Sequence, residues 1–161
     1  EIVSRDWSSD VCSSDLGSGR FLLTTVSAVL GRGDKIQVVS AGDSPVFLIN
    51  KDGHQKLSGN AGGFLHVGVA RAIGASEKLG APAQVEITPS PGDRLFLATD
   101  GITDNMTIEE LAEVIRNAAT PDQAASTIED TIKERLQEGR VPETIGVRFR
   151  YDDRTGIIRF F

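Results

Sequence analysis

The chain has 161 residues, of which 25% are charged and 39% are hydrophobic, and its formal net charge is −6. This length is typical of one domain. The acidic balance leaves no basic stripe to neutralise nucleic-acid phosphates, so a nucleic-acid partner is not expected. No apolar run approaches the roughly 20 residues that cross a bilayer, so a membrane span is not expected either.

The first unusual segment is DWSSDVCSSDL at residues 6–16, which holds the only tryptophan, Trp7, and the only cysteine, Cys12. It shows neither helical nor strand periodicity. It matches the conceptual translation of a common sequencing adapter. The alternatives are a disordered acidic leader, a single-cysteine redox site or an export signal, and the last lacks a basic start and an apolar run. We therefore expect residues 1–16 to be an artefactual or disordered leader and residues 17–161 to be the C-terminal part of a single domain.

The domain region contains no cysteine once this leader is set aside. A chain without cysteine has no disulfide framework and no thiolate metal site, and it suits a reducing compartment. We therefore expect a cytoplasmic location.

Three apolar, β-branched runs open the domain region, and sequences rich in glycine and aspartate separate them. Such runs with such breaks are typical of strands and turns, and together they predict an antiparallel meander. The predicted strands are residues 20–30, 35–41 and 44–50, and the predicted turns are GRGD (31–34), Gly42 with Asp43, and NKDGH (50–54).

The middle of the chain, residues 58–81, is rich in glycine and has no clear period. This composition predicts a long loop, and long loops inside compact domains are often functional. Further strands are predicted on both sides of a Pro-Gly turn and at the C-terminus. They are residues 84–88, 93–99, 144–151 and 156–161.

Two helices are predicted late in the chain. Thr107 and Glu110 form a capping box in front of an apolar stripe. Thr120 is the predicted N-cap of the second helix, Pro121 its first residue, and Gly139 closes it. At least six strands and two late helices indicate an α+β domain instead of alternating βαβ units.

The residues most indicative of chemistry lie in ATDGITDN at 98–105. An apolar strand that ends in Asp100 and Gly101 places a carboxylate at the sheet edge, where the glycine permits close backbone approach. Asp104 can lie near Asp100 if the chain turns at Gly101, and Asp43 can join them if the two strand ends are adjacent. Clustered carboxylates repel one another unless a hard cation such as Mg²⁺ or Mn²⁺ lies between them. Taken singly, Asp43 and Asp100 are equally typical of turn aspartates that bond their own backbone.

Three motifs occur in a fixed order: VVSAGDSPVFLI (38–49), ARAIGA (70–75) and PGDRLFLATDGITDNMT (91–107). In order and spacing they resemble the later part of the metal-dependent serine/threonine protein phosphatases, the type 2C family. The nearest alternative is the sporulation-type bacterial branch of the same superfamily, which usually has histidine where Asp43 stands. The GDS motif favours the type 2C branch.

The resemblance implies an α+β fold: a β-sandwich flanked by helices in four α/β/β/α layers, here N-terminally truncated. It implies hydrolysis of phosphoserine and phosphothreonine in proteins by a metal-activated water. The implied cofactors are Mn²⁺ or Mg²⁺, two or three ions in the full-length enzyme, and the implied partner is a phosphoprotein made by a serine/threonine kinase. Because the family's first half is missing, we expect the fragment to be inactive alone. The alternative is a phosphatase-like pseudoenzyme or regulatory domain that binds a partner without catalysis.

The resemblance also implies roles for individual residues. Asp100 would be a ligand of the binuclear centre, and Asp43 and Asp104 would join it around a weaker third metal. Gly42 and Gly101 would support these ligands. The implied substrate flap lies in the glycine-rich stretch and includes Gly62, Gly63 and His66.

The last family ligand is an aspartate in a D-N/D-I-T-V segment, and VPETIGV puts Glu143 at that place. Glutamate is also a hard oxygen ligand, but it is one methylene longer, so this ligand departs from the family pattern. Asp152 and Asp153 lie in a predicted hairpin turn, which accounts for them without a metal.

Overall fold

The computed structural model describes residues 24–42, 44–58, 82–138 and 151–161. These residues contain seven strands and three helices. The strands are β1 (Val26–Arg32), β2 (Lys35–Ala41), β3 (Val46–Asn50), β4 (Gly53–Lys56), β5 (Ala83–Ile87), β6 (Arg94–Ala98) and β7 (Gly156–Phe160), and the helices are α1 (Asp100–Thr103), α2 (Ile108–Asn117) and α3 (Pro121–Glu138).

The strands form two antiparallel sheets, a three-stranded one in the order β1-β2-β5 and a four-stranded one in the order β4-β3-β6-β7. The predicted pairing of β1 with β2 is confirmed. The predicted meander through residue 50 is wrong, because β2 and β3 belong to different sheets. The chain crosses between the sheets at Gly42, whose φ is +109° and whose hypothetical β-carbon would lie 2.5 Å from the Thr25 side chain. Only glycine accommodates both that φ and that contact.

Two further local predictions need correction. Gly31 and Arg32 are part of β1, and the Arg32–Lys35 pairing leaves only Gly33 and Asp34 in the turn. β4 was not predicted, because GHQK lacks the β-branched residues that mark strands. It forms because the preceding turn folds it back onto β3, where Gly53 pairs with Asn50.

The inner faces of the two sheets pack against each other. Alternate residues of each strand point inward, as in other sheet-on-sheet packings. The buried residues of this interface are Ile36, Val38, Val46, Leu48, Leu57, Leu95 and Leu97.

Helices α2 and α3 cover the other face of the four-stranded sheet. The capping box of α2 is confirmed, since Glu110 N donates to Thr107 Oγ1 (3.2 Å) and Thr107 N donates to Glu110 Oε2 (2.9 Å). α3 begins at Pro121, as predicted. Gly139 lies outside the described residues, as do residues 59–81 and most of the predicted strand 144–151. The buried residues under these helices include Phe47, Ile49, Phe96, Leu111, Ile115, Ala124, Ile128 and Ile132.

The described residues therefore stack in three layers: a helix pair, the four-stranded sheet and the three-stranded sheet. This confirms the predicted α+β class with a flanked β-sandwich, and the second helix layer implied by the resemblance is not among the residues described. In the same part of the chain no helix combines the length and the apolar composition of a bilayer-crossing segment.

Candidate functional site

Asp100 lies where a central buried strand ends. Residues 95–98 of β6 are buried, and Asp100, two residues later, is half-buried and is the first residue of α1. The predicted turn at Gly101 is a single helical turn, in which Asp104 N donates to Asp100 O (2.7 Å). Asp104 is also half-buried. The two carboxylates thus project from residues one turn apart, a spacing that places side chains on one face.

Gly101 marks the closest backbone contact in this region. A β-carbon at this position would collide with the main-chain carbonyl oxygen of Asp153. Any other residue would push residues 151–155 away from α1. The supporting role predicted for Gly101 therefore has a steric basis, which is the packing of α1 against the segment before β7.

That segment, residues 152–155, is held against the end of β6 by Thr99. Thr99 N donates to Thr155 O (3.0 Å), and Thr155 N donates to Thr99 Oγ1 (3.1 Å). Thr99 Oγ1 also lies 3.3 Å from Asp153 O, to which it can donate. The backbone of Asp153 therefore lies beside Thr99 and Gly101, the two neighbours of Asp100, and the Asp152 carboxylate accepts a hydrogen bond from Asp153 N (2.8 Å). This proximity was not predicted from the sequence. It follows from the antiparallel pairing of β6 with β7, which places the residues before 156 next to those after 98.

The GDS segment runs beside the same strand end. Ala98 N donates to Pro45 O (3.1 Å), so the chain two residues after Asp43 lies next to the chain two residues before Asp100. Ser44 is anchored by a 2.7 Å hydrogen bond between its hydroxyl and that of Thr25. Asp43 itself lies outside the described residues. Its adjacency to Asp100 and its role as a ligand therefore stay predictions.

The buried side chain of Asn105 holds α1 through a hydrogen bond to its backbone. Asn105 is fully buried, and its Nδ2 donates to Gly101 O (2.8 Å). The main-chain carbonyl of Asn105 accepts a hydrogen bond from Arg135 of α3 (2.9 Å). Arg135 also donates two hydrogen bonds to the Glu110 carboxylate, of which the shorter is 2.5 Å long. Hydrogen bonding by Arg135 lowers the pKa of Glu110. The loop that follows α1 is therefore tied to α3.

A second ion pair ties α3 to the segment before β7. Arg154 donates to both carboxylate oxygens of Glu129, at 3.1 and 3.0 Å. Hydrogen bonding by Arg154 is the main cause that lowers the pKa of Glu129. Lys133 lies 3.3 Å from the same carboxylate, one turn along the helix. Both sides of Asp100 are thus connected to α3 by charged hydrogen bonds.

Two carboxylates at this end of the sandwich are suitable ligands for a hard divalent cation. Asp100 and Asp104 offer half-buried carboxylate oxygens, the ligand type that Mn²⁺ and Mg²⁺ prefer. Across residues 24–42, 44–58, 82–138 and 151–161, no three His, Cys, Asp or Glu side chains are grouped so that they could hold a metal ion. The remaining predicted site residues lie outside the described residues: Asp43, Glu143, Gly62, Gly63 and His66.

Comparison with known families defines the class of protein. The model of the stage II sporulation protein E family matches residues 8–158, and the chain belongs to that family. The resemblance to the phosphatase superfamily is thereby confirmed, although the matching model is the sporulation-type one and gives no support to the branch preference drawn from Asp43. The match begins inside residues 6–16, whose origin as a translated adapter stays a prediction.

Several solved protein structures share the fold, two of them described as serine/threonine phosphatases. PppA, described as a key regulatory component of T6SS in Pseudomonas aeruginosa, is 22% identical, with a TM-score of 0.66 over 85% of this chain and 57% of that chain. Stp1 from Staphylococcus aureus is 15% identical, with a TM-score of 0.66 over 86% and 56%. The PstP catalytic domain in complex with two manganese ions is 20% identical, with a TM-score of 0.58 over 84% and 57%.

The chain thus spans a little over half the length of these three structures. At these identities the likeness establishes a shared fold. No curated protein sequence matches the chain.

Proposed function

We propose that this protein serves in the metal-dependent hydrolysis of phosphoserine and phosphothreonine in proteins. The observation that carries the proposal is the position of Asp100, at the end of a buried strand, one helical turn from Asp104 and beside the GDS segment. Membership of the sporulation protein E family and the fold shared with metal-dependent phosphatases support it. The proposed substrate is a phosphoprotein made by a serine/threonine kinase, and the proposed location is the cytoplasm.

In this proposal Asp100 and Asp104, with Asp43, hold Mn²⁺ or Mg²⁺ through carboxylate oxygens. A bound divalent ion supplies a water of lowered pKa and positive charge beside the phosphoryl oxygens. Gly101 contributes by letting the backbone of residues 152–155 approach α1. Gly62, Gly63 and His66 are proposed to shape substrate access.

Two aspartates join the candidate ligands. Asp152 and Asp153 are exposed and lie in the segment that contacts Thr99 and Gly101. The family's last metal ligand falls at Glu143 in the sequence motif. We propose that Asp152 or Asp153 supplies this carboxylate instead. Backbone contacts support this assignment, because Asp153 O and Thr155 N both lie within hydrogen-bonding distance of Thr99 Oγ1, one residue before Asp100.

The decisive test is the substitution Asp100→Asn in the complete gene product. The variant keeps the size of the side chain but removes the carboxylate charge, so Mn²⁺-dependent hydrolysis of a phosphoserine peptide should fall by at least about 100-fold. Asp52→Asn, in the exposed turn between β3 and β4, is the matched control and should leave turnover unchanged. Unchanged turnover in Asp100→Asn would remove this residue from the metal centre. Because this chain spans a little over half of the related structures, we propose that alone it does not turn substrate over.

A second candidate function is a phosphatase-like domain that binds a phosphoprotein without hydrolysing it. It is favoured by Glu143, which stands where the family pattern has its last aspartate ligand. Binding of a phosphopeptide by the complete gene product, without phosphate release at any Mn²⁺ concentration, would establish this second function and exclude the first.

A further inference from the structure

Residues 151–155 have no regular secondary structure, yet they are held on two sides. On one side Thr99 makes reciprocal hydrogen bonds with Thr155. On the other side Arg154 reaches α3 and makes a two-pronged contact with Glu129. Between these attachments, the carbonyl of Asp153 lies against Gly101.

We propose that Glu129 and Arg154 are positioning residues for the metal site. Their ion pair docks residues 152–155 onto α3, and this docking holds the backbone of Asp153 against Thr99 and Gly101, on either side of Asp100. The metal-related part of this proposal rests on the proposed function, whereas the docking itself does not.

The geometry distinguishes this pair from an ordinary surface salt bridge. A fork-to-fork contact between a guanidinium and a carboxylate fixes orientation as well as distance. The side chain of Arg154 is only 21% exposed, although it lies in a segment without secondary structure. An exposed ion pair contributes little to stability. The Glu129–Arg154 pair acts on local position, because Arg154 directly follows Asp153 in the chain.

Lys133 supplies a matched control on the same carboxylate. Its Nζ lies 3.3 Å from Glu129 Oε1, but it belongs to α3 itself and is 55% exposed. Removing Lys133 takes a positive charge from Glu129 without detaching residues 152–155. Any effect seen in an Arg154 variant and absent in a Lys133 variant therefore reports the docking and not the charge of Glu129.

The docking is tested by amide hydrogen exchange in the 161-residue chain. Glu129→Gln and Arg154→Gln should each speed exchange of the Thr99 and Thr155 amides by about tenfold, the effect of losing roughly 1.4 kcal/mol of local stability. Lys133→Gln should leave the exchange rates of both amides unchanged. In all three variants the exchange rate of the Val38 amide, in the three-stranded sheet, should also stay unchanged. The swapped pair Glu129→Arg with Arg154→Glu should restore protection. Unchanged exchange of Thr99 and Thr155 in both glutamine variants would overturn the docking.

The link to the metal is tested by Mn²⁺ titration calorimetry on the same proteins, a readout that needs no turnover. Misplaced supporting groups typically cost 10–100-fold in metal affinity, so Arg154→Gln should raise the Mn²⁺ Kd by at least about tenfold. Arg154→Lys should recover part of the loss, and Lys133→Gln should match the wild type. Faster exchange with an unchanged Kd would overturn the metal role. If the wild-type chain bound no Mn²⁺, the proposed metal site and the metal part of this inference would both fall, while the exchange result would still decide the docking.

Discussion

The two sheets share one core but differ on their outer faces. Strands β3 and β6 of the four-stranded sheet are buried on both faces, because Phe47 and Phe96 point toward the helices while Leu48 and Leu95 point toward the other sheet. In the three-stranded sheet the described residues leave the outer face open, and Leu30 of β1 is 65% exposed.

This difference explains why the candidate site lies where it does. A strand covered on both faces has little freedom at its end, since its neighbours pack closely on either side. Asp100 extends directly from such a strand, and Asn105 and Arg135 then fix the residues that follow. Asp100 therefore projects from the sheet that is covered on both faces, which suits the preorganised ligand proposed above.

The largest test of this contrast removes one large apolar side chain from each sheet. Phe96→Ala should lower the free energy of unfolding by about 3–5 kcal/mol, because it opens a cavity between the sheet and the helices. Leu30→Ala removes a mostly exposed side chain and should change the same quantity by less than about 0.5 kcal/mol. Urea unfolding followed by circular dichroism measures both. Equal losses in the two variants would show that the open face is covered in solution.

The second contrast compares two glycines with different surroundings. Gly101→Ala places a β-carbon on the Asp153 carbonyl and should cost about 1–3 kcal/mol, the usual range for overpacking. Gly31→Ala in β1 meets no atom within 4 Å and should be neutral or slightly stabilising. Thermal unfolding of both variants provides the measurement. A neutral Gly101→Ala would mean that residues 151–155 do not pack against α1.

The sequence predicted the features that depend on local pattern. The strands β2, β3, β5 and β6 follow apolar runs, and α2 begins at the capping box of Thr107 and Glu110. The sequence also predicted that a buried strand ends just before Asp100, whereas the metal site at ATDGITDN stays a prediction.

The features that depend on pairing between distant segments were not predicted. β4 exists because β3 offers it an edge, and the sheet change at Gly42 depends on a contact with Thr25. The position of Asp153 beside Gly101 follows from the pairing of β6 with β7, whose residues are about 60 positions apart in the chain. Periodicity carries no information on such partners. Glu143 was chosen by its local motif; it lies outside the described residues, and its role as a ligand stays a prediction.

The smallest contrast is electrostatic and concerns acid pH. Hydrogen bonding by Arg135 lowers the pKa of Glu110 in the folded protein, so its carboxylate stabilises the fold only while it is ionised. This contribution is complete above the unfolded-state pKa of about 4.3 and is lost as the pH falls through the lower folded-state value. From this group we expect almost no change in the free energy of unfolding between pH 7 and pH 5, then a decline of about 1 kcal/mol below that window. Glu110→Gln should abolish that part of the decline, whereas Glu86→Gln, in the exposed pair with Lys35 on the three-stranded sheet, should leave it intact. Urea unfolding from pH 7 to pH 3 checks this prediction. The same acid slope in Glu110→Gln as in the wild type would show that the Glu110–Arg135 pair between α2 and α3 does not stabilise the fold.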